Sequence, residues 1–510
     1  MALEYSSDAT VKRLCLPADD EHNQHDAVPV AAAALDHLSE LPEALQLHIL
    51  SFLPLKSAIL TSSLSSSWRH LWERRWQDDK NPSSLHHHLL PYSSPSPKKL
   101  LDSLELRQSQ GQGRLDCYSL VIDTPAMSAR RFSRYLAASA GCGVEDLCVE
   151  LRSPPSPATL RFPFPTVAAA SPVLARLSLR GIEVSGLNSR AVRPCSALET
   201  VRFHSVHIDD RGLARMLALC PRLRVLGLHS CDGLRRITVT AVMGTRLNLR
   251  SVTIAECSRV VEVDVAVVSS LRSFRYSGGF LSSFYLPSDA CFADLYIRFG
   301  VQRSRNVLIC KKVFSEWFET HVCSKLTALT ICSNVLFVVS SLPNAIGHAE
   351  SAKMGDFFKS MTELQLLMLE MKAPDLANIY VFLKNSQCHN LEKLFVQLPS
   401  IPSEALVDPF DYVGVEPPED GLENLKVVKI VNFNWKRIEV QLVCFLLRKA
   451  TSLRELLLVT PSLMIPSNAP GIQKADLLFL AEAGVNGKVI FRESDDAATQ
   501  PFHSDVFADF

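Results

Sequence analysis

The sequence has no excess of charge of either sign. Lysine plus arginine and aspartate plus glutamate both number 53 in 510 residues, a formal net charge of zero. That argues against the basic field by which proteins hold nucleic acid, so no nucleic-acid partner is expected. There is no Cys-x-x-Cys pair among the 14 cysteines. Many lie inside apolar runs, as Cys148 and Cys444 do, which is the usage of reduced, buried thiols and not of a disulfide framework. Cys142 with Cys148, and Cys323 with Cys332, lack the strongly basic neighbours of a redox pair and read as core thiols. No uncharged apolar run approaches the ~20 residues of a membrane-spanning helix, the longest near 335–339 being far too short, so no membrane partner is expected. Met1-Ala2-Leu3-Glu4-Tyr5 lacks the basic and then apolar pattern of a secretion signal, and the expected location is nucleus and/or cytoplasm.

The marks of catalysis are missing as well. Gly278-Gly279 has neither the spacing nor the lysine of a phosphate loop, and no Gly-x-Ser-x-Gly elbow occurs. Adjacent acids such as Glu145-Asp146 point opposite ways on a strand. His86-His87-His88 cannot converge on one ion from a regular element, and a solvated linker is the expectation there. The basic pairs Arg130-Arg131, Arg235-Arg236 and Lys311-Lys312 could meet phosphate, but ordinary solvated surface is the better reading. No catalytic residue, cofactor or metal is expected, and the chain reads as a non-enzyme.

What is present is organisation. Residues 1–36 are polar with a small alanine tract and are expected to be disordered. Residues 37–76 carry a compact helical pattern. Residues 77–99 are rich in Ser, Pro and His and read as a linker. From about residue 100 a signature of the form apolar-x-x-apolar-x-apolar recurs. Its clear copies are Leu174/Leu177/Leu179, Leu198/Val201/Phe203, Leu223/Leu226/Leu228, Leu249/Val252/Ile254, Leu271/Phe274/Tyr276 and Phe292/Leu295/Ile297. They continue as Leu326/Leu329/Ile331, Leu364/Leu367/Leu369, Leu391/Leu394/Val396, Leu425/Val428/Ile430 and Leu453/Leu456/Leu458. Cys117/Leu120/Ile122 and Val144/Leu147/Val149 are weaker early copies.

The last two apolar positions, two residues apart, face one side of a short strand. Steps of 21 to 38 residues fit repeats of irregular length. In one complete unit Asp209-Asp210 opens a helix, Leu213, Met216, Leu217 and Cys220 recur at helical spacing, and Pro221 stops it. Cys231, Cys257 and Asn334 stand where a side chain can bond backbone as the strand turns. Such a unit cannot bury itself alone, so stacking into a curved solenoid is expected. Long insertions at 300–325, 338–360 and 400–422 are expected contact loops.

Within 38–72, Pro42 is placed for the first turn of a helix. Leu45, Ile49 and Leu53 follow at i, i+4, i+8, flanked by Leu50, and Pro54 ends the helix. A second helix lies near 55–64. Ser65-Ser66-Ser67 can cap a third, carrying Trp68, Leu71, Trp72 and Trp76. About forty residues make a very small core, and such modules commonly need a partner.

This stretch resembles the F-box of plant proteins. Leu41-Pro42-Glu43, Leu45, Ile49-Leu50-Ser51-Phe52-Leu53-Pro54, Leu64-Ser65 and Trp68-Arg69-His70-Leu71-Trp72 match its pattern. Ser66-Ser67 departs from the Lys-Arg pair usual there, which leaves the strength of docking open. The resemblance implies binding to a small Skp-type adaptor and through it a cullin. Leu41, Pro42, Leu45, Ile49, Leu50, Leu53, Trp68, Leu71 and Trp72 are the implied adaptor-binding residues. Residues 421–510 resemble the FBD domain, with Val440, Val443, Cys444 and Leu447 as the stripe of a helix ended by Arg448-Lys449. There it is expected to close the open end of the array.

The implied fold is α/β: a three-helix F-box, a linker, an irregular leucine-rich-repeat (ribonuclease-inhibitor-like) solenoid over 100–420 and the FBD-like cap. The implied role is the substrate-recognition subunit of a Skp-cullin-F-box ubiquitin ligase. Its target is a protein that the sequence does not name. The alternatives are a small-ligand-dependent F-box receptor, in which an inositol phosphate could take part, and a leucine-rich scaffold outside any ligase.

Overall fold

The computed structural model describes residues 41–51, 61, 68–69, 71, 84–89, 97–110, 114–124, 127–152, 160–187, 194–239, 248–287, 290–300, 325–341, 358–400, 414–461, 472–495 and 499–504. The chain divides into two compact units, Met1–Asn81 and Pro82–Phe510.

In the first unit one helix, Glu43–Ser51, is described, with an acid in its first turn. The Pro42 carbonyl accepts from the amides of Leu45 at 2.8 Å and Gln46 at 3.2 Å, which fixes the helix start. Leu50, Trp68 and Leu71 form the core, and Leu47 and Ile49 pack against it.

The second unit is built on one 15-stranded sheet in which every described pairing is parallel. In order along it lie β1 (Ser84–Leu89), β2 (Cys117–Ile122), β3 (Asp146–Leu151), β5 (Arg176–Arg180), β7 (Thr200–His204), β8 (Val225–His229), β10 (Ser251–Ala255) and β12 (Ser273–Gly278). There follow β14 (Asp294–Phe299), β15 (Ala328–Cys332), β16 (Glu363–Leu367), β17 (Lys393–Gln397), β18 (Val427–Val431), β19 (Glu455–Val459) and β20 (Val489–Arg492). Each strand directs two apolar residues into one core that runs from Leu89 to Val489. Such strands pair only with their neighbours in the array, as a repeat solenoid requires.

Between the sheet strands the chain returns through short strands or helices. β9 (Arg236–Thr238), β11 (Glu262–Asp264) and β13 (Ser283–Tyr285) form a second small parallel sheet, and β4 (Arg161–Pro163) pairs with β6 (Glu183–Ser185). Helices return at Ala129–Gly141, Asp210–Leu219, Ser333–Ser340, Ala373–Ser386, Arg437–Lys449 and Lys474–Val485. The helix opened by Asp209 is as the sequence predicts: its carboxylate accepts from Gly212 N at 2.8 Å, and Leu213, Met216 and Leu217 are buried.

Strand ends repeat a tight turn. Ser205, Ser230, Glu256 and Asn432 have φ of 51°, 51°, 53° and 63°, and Gly181 has 68° at the matching place. The left-handed turn lets the next amide go on bonding across the sheet, as Ser230 N does to Ala255 O at 2.9 Å. The closing positions behave as expected. Asn334 Nδ2 donates to Gly300 O at 2.8 Å, and the Cys231 thiol points to His229 O at 3.5 Å.

The structure corrects three readings. Residues 84–89, expected within a linker, form the first strand of the sheet, because Leu85, His87 and Leu89 alternate inward with His87 taking an apolar place. The unit given as Leu364/Leu367/Leu369 is Met361/Leu364/Leu366. Those three are buried, whereas Leu369 is 37% exposed. The unit given as Cys117/Leu120/Ile122 is Leu115/Tyr118/Leu120, since Tyr118 and Leu120 register with Leu147 and Val149. In both units two frames satisfy the apolar spacing, and only the hydrogen-bonded register separates them. Of the helix stripe at 440–447, Val440, Val443 and Cys444 are buried and Leu447 is half-buried against the core, and the sheet runs through 421–492 without a break among the described residues.

Candidate functional site

The helix Glu43–Ser51 has two apolar sides. Gln46 and Leu50, one turn apart, are buried at 4% and 0% exposure. Leu45 points away at 49% exposure, and Ile49, one turn further on, is half-buried beside the core. Leu41 is half-buried and Pro42 exposed at the helix start. Of the residues implied to meet an adaptor, these four retain accessible surface. Leu50, Trp68 and Leu71 pack on one another in the small core of this unit. Leu53 and Trp72 lie outside the described residues, as does most of 55–76, where the sequence leads one to expect the second and third helices.

The second candidate surface is the outward face of the repeat strands, the side away from the core. Its centre is a row of residues paired in register across the sheet: Arg275, Tyr296, Thr330, Gln365, Phe395 and Lys429. Outward positions of a repeat sheet ordinarily meet water, yet Tyr296, Thr330, Gln365, Phe395 and Lys429 are buried. The cover is residues 499–504. His503, itself buried, sets Nε2 3.0 Å from Asp294 Oδ1 and Nδ1 2.8 Å from Thr330 Oγ1. Lys429 Nζ donates to Thr499 O at 3.2 Å and to Gln500 Oε1 at 3.1 Å, and pairs with the Asp495 carboxylate. Phe502 N donates to Glu363 Oε1 at 2.5 Å, and the Arg275 guanidinium lies 6.0 Å over the Phe502 ring.

Asp294 is the electrostatic centre. Burial would raise its pKa, but the hydrogen bond from His503, the charge of Arg275 and the hydroxyl of Ser273 outweigh it and hold the carboxyl below its ordinary value. Beside residues 499–504 lies a cavity of about 640 Å³, lined by Tyr296, Gln365, Phe395, Lys429, Pro501 and His503 among others. Over β2 to β8 the same row reads Ser119, Cys148, Ser178, Arg202 and Gly227 in register. There His204 and His229 stack at 4.4 Å between ring centres.

Nothing in the strand pattern foretold residues 499–504. The signal that could have found them is Tyr296 and Phe395, large aromatic residues at outward positions that otherwise meet water. Among the described residues no group of His, Cys, Asp or Glu is placed to hold a metal, and no helix is long and apolar enough to cross a membrane. The described cysteines are free thiols.

A parallel array of short strands repeating at irregular steps is the architecture of a leucine-rich-repeat protein, and the helix Glu43–Ser51 lies ahead of it in the sequence. The comparison with known families makes this specific. The family described as "At1g61320/AtMIF1, LRR domain" matches residues 113–469, and the F-box domain matches 38–78. The chain belongs to the F-box/LRR-repeat proteins of the plant type. It is 25% identical over 484 residues to "Putative F-box/LRR-repeat protein At5g54820" of Arabidopsis thaliana, covering 87% of this chain and 95% of that one. It is 27% identical over 247 residues to the "F-box/FBD/LRR-repeat protein At5g56420" of the same plant, covering 45% of this chain and 51% of that one. Over 53 residues it is 49% identical to "F-box/LRR-repeat protein At3g58940" of that plant, 10% of this chain and 9% of that one.

Proposed function

We propose that the chain is the substrate-recognition subunit of a Skp-cullin-F-box ubiquitin ligase, working in the nucleus or cytoplasm. The carrying observation is the F-box match at 38–78 together with an apolar side chain, Leu45, held out from a helix whose other side is the module's own core. With Leu41 and Ile49 half-buried beside it, the exposed Leu45 belongs to a small apolar surface that a partner can cover. In this reading Leu41, Pro42, Leu45 and Ile49 meet the Skp-type adaptor, with Leu53 and Trp72 in supporting places. Leu50, Trp68 and Leu71 keep the helix in position. The outward face of the repeats and the loops at their ends hold the target protein. The subunit contributes proximity and orientation while bond chemistry stays with the conjugating enzyme. The FBD in the name of a relative supports reading 421–510 as an FBD-like cap.

The test is co-purification of the full chain with a Skp-type adaptor. Leu45→Glu should lose capture by ~100-fold or more, since a buried unpaired charge costs about 3–5 kcal/mol, while its thermal transition stays at the wild-type temperature. Failure of the wild-type chain to retain the adaptor, or equal retention by Leu45→Glu, would overturn the reading.

A further inference from the structure

The face that would receive a target is already partly filled. Residues 499–504 belong to no strand or helix and cross strands that lie far back in the chain. The contacts with Lys429, Glu363, Thr330 and Asp294 span 70, 139, 173 and 209 residues. A segment that merely sealed a core would bury apolar surface. Here Phe502 is left 57% exposed, and the buried anchor is a histidine with both ring nitrogens engaged. Attachment combines the edge-on contact of His503 with Tyr296, ring centres 5.6 Å apart, with polar contacts of modest net strength that another polar chain can replace. The groove also exceeds its occupant, since the 640 Å³ cavity adjoins the segment and shares Pro501 and His503 with it.

We propose that the outward face of β12 to β18 is a peptide-binding groove. Its resting occupant is the chain's own Thr499-Gln500-Pro501-Phe502-His503-Ser504, and a target segment bearing an aromatic residue followed by histidine enters by displacing it. Asp294 and Thr330 select the histidine, Arg275 faces the aromatic ring, and Glu363 accepts from the backbone between strands. The neighbouring cavity admits side chains that the resident segment lacks. This deepens the reading of the repeats as the target-binding part. It stands apart from adaptor docking, so the co-purification above can fail while the groove is real, and the reverse.

The probe is a fluorescent peptide with the sequence of residues 496–506, from Asp496 to Val506. It is titrated by anisotropy into the full wild-type chain and into the full-length double variant Phe502→Ala, His503→Ala. A short tether supplies an effective concentration in the millimolar range, so the wild type should bind the peptide on the order of 100-fold more weakly than the variant. Replacing histidine by alanine in the peptide should remove binding to the variant. Hydrogen exchange of the wild-type chain gives a second reading that needs no variant: saturating peptide should speed exchange at 499–504. Equal affinity for wild type and variant, or no binding to a variant that keeps its thermal transition, would overturn the proposal. So would amides at 499–504 that stay as protected as the strands under saturating peptide.

Discussion

At the scale of single residues, two positions show how the backbone chooses its side chains. Gly181 combines a φ of 68° with the Leu151 carbonyl oxygen only 2.6 Å from where a Cβ would stand. Gly181→Ala should therefore destabilise the repeats on both sides by about 1–3 kcal/mol, seen as lost protection in hydrogen exchange at β3 and β5. Ser205 holds the matching turn at a φ of 51° with a side chain, so Ser205→Gly should stabilise by up to ~1 kcal/mol in chemical denaturation. His87 replaces an apolar residue in β1. Burial first, and the charge of His86 second, push its pKa down to about 4, and its Nδ1 lies 3.2 Å from the Tyr118 hydroxyl. The unfolded chain binds a proton at His87 near pH 6.5 while the folded chain does not, so stability should fall as pH drops from there to about 4. His87→Gln should flatten that part of a thermal-melt series. For Asp294 the sign is opposite in origin. Its carboxyl is held low, so its contribution is complete above the ordinary carboxylate value and is lost as pH falls through its own lower one. His503→Ala should raise the Asp294 value, readable as a shifted carboxyl titration by carbon NMR.

At the scale of elements, the strands were legible because each needs two inward apolar residues at fixed spacing. The copies from Val144/Leu147/Val149 onward match observed strands, but Met361-x-x-Leu364-x-Leu366-Leu367 and Leu115-x-x-Tyr118-x-Leu120-x-Ile122 each fit two frames. Sequence periodicity carries no term for which neighbour supplies the hydrogen bonds. β1 and β20 were not read, the first because Ser-Leu-His-His-His-Leu hides its alternation behind polar letters and the second because Val489-Ile490-Phe491 lacks the leading apolar residue. The helix after β7 was legible from its cap. Asp209→Ala removes the bond to Gly212 N and should cost about 1 kcal/mol, measured as faster exchange within Asp210–Leu219. In the F-box the stripe at 45, 49 and 53 was visible. Its division into a core side led by Leu50 and an exposed side led by Leu45 was not, because both sides are leucine-rich and only packing against Trp68 and Leu71 tells them apart.

At the scale of the whole molecule, a repeat array is nearly one-dimensional. Each strand senses only its neighbours, so the ends of such an array fray and its segments can open independently. The contact between His503 and Asp294, 209 residues apart, breaks that rule. With Lys429 it ties the strand at 294–299 to the strand at 427–431 by a route outside the sheet. Strands between those two anchors cannot open one at a time without releasing a shared clasp, so they should open as one cooperative block. The rest of the array, from β2 to β10, should unravel by steps. Displacing the C-terminal segment would then loosen the very repeats that a target grips, converting a static scaffold into one whose local order depends on what occupies it.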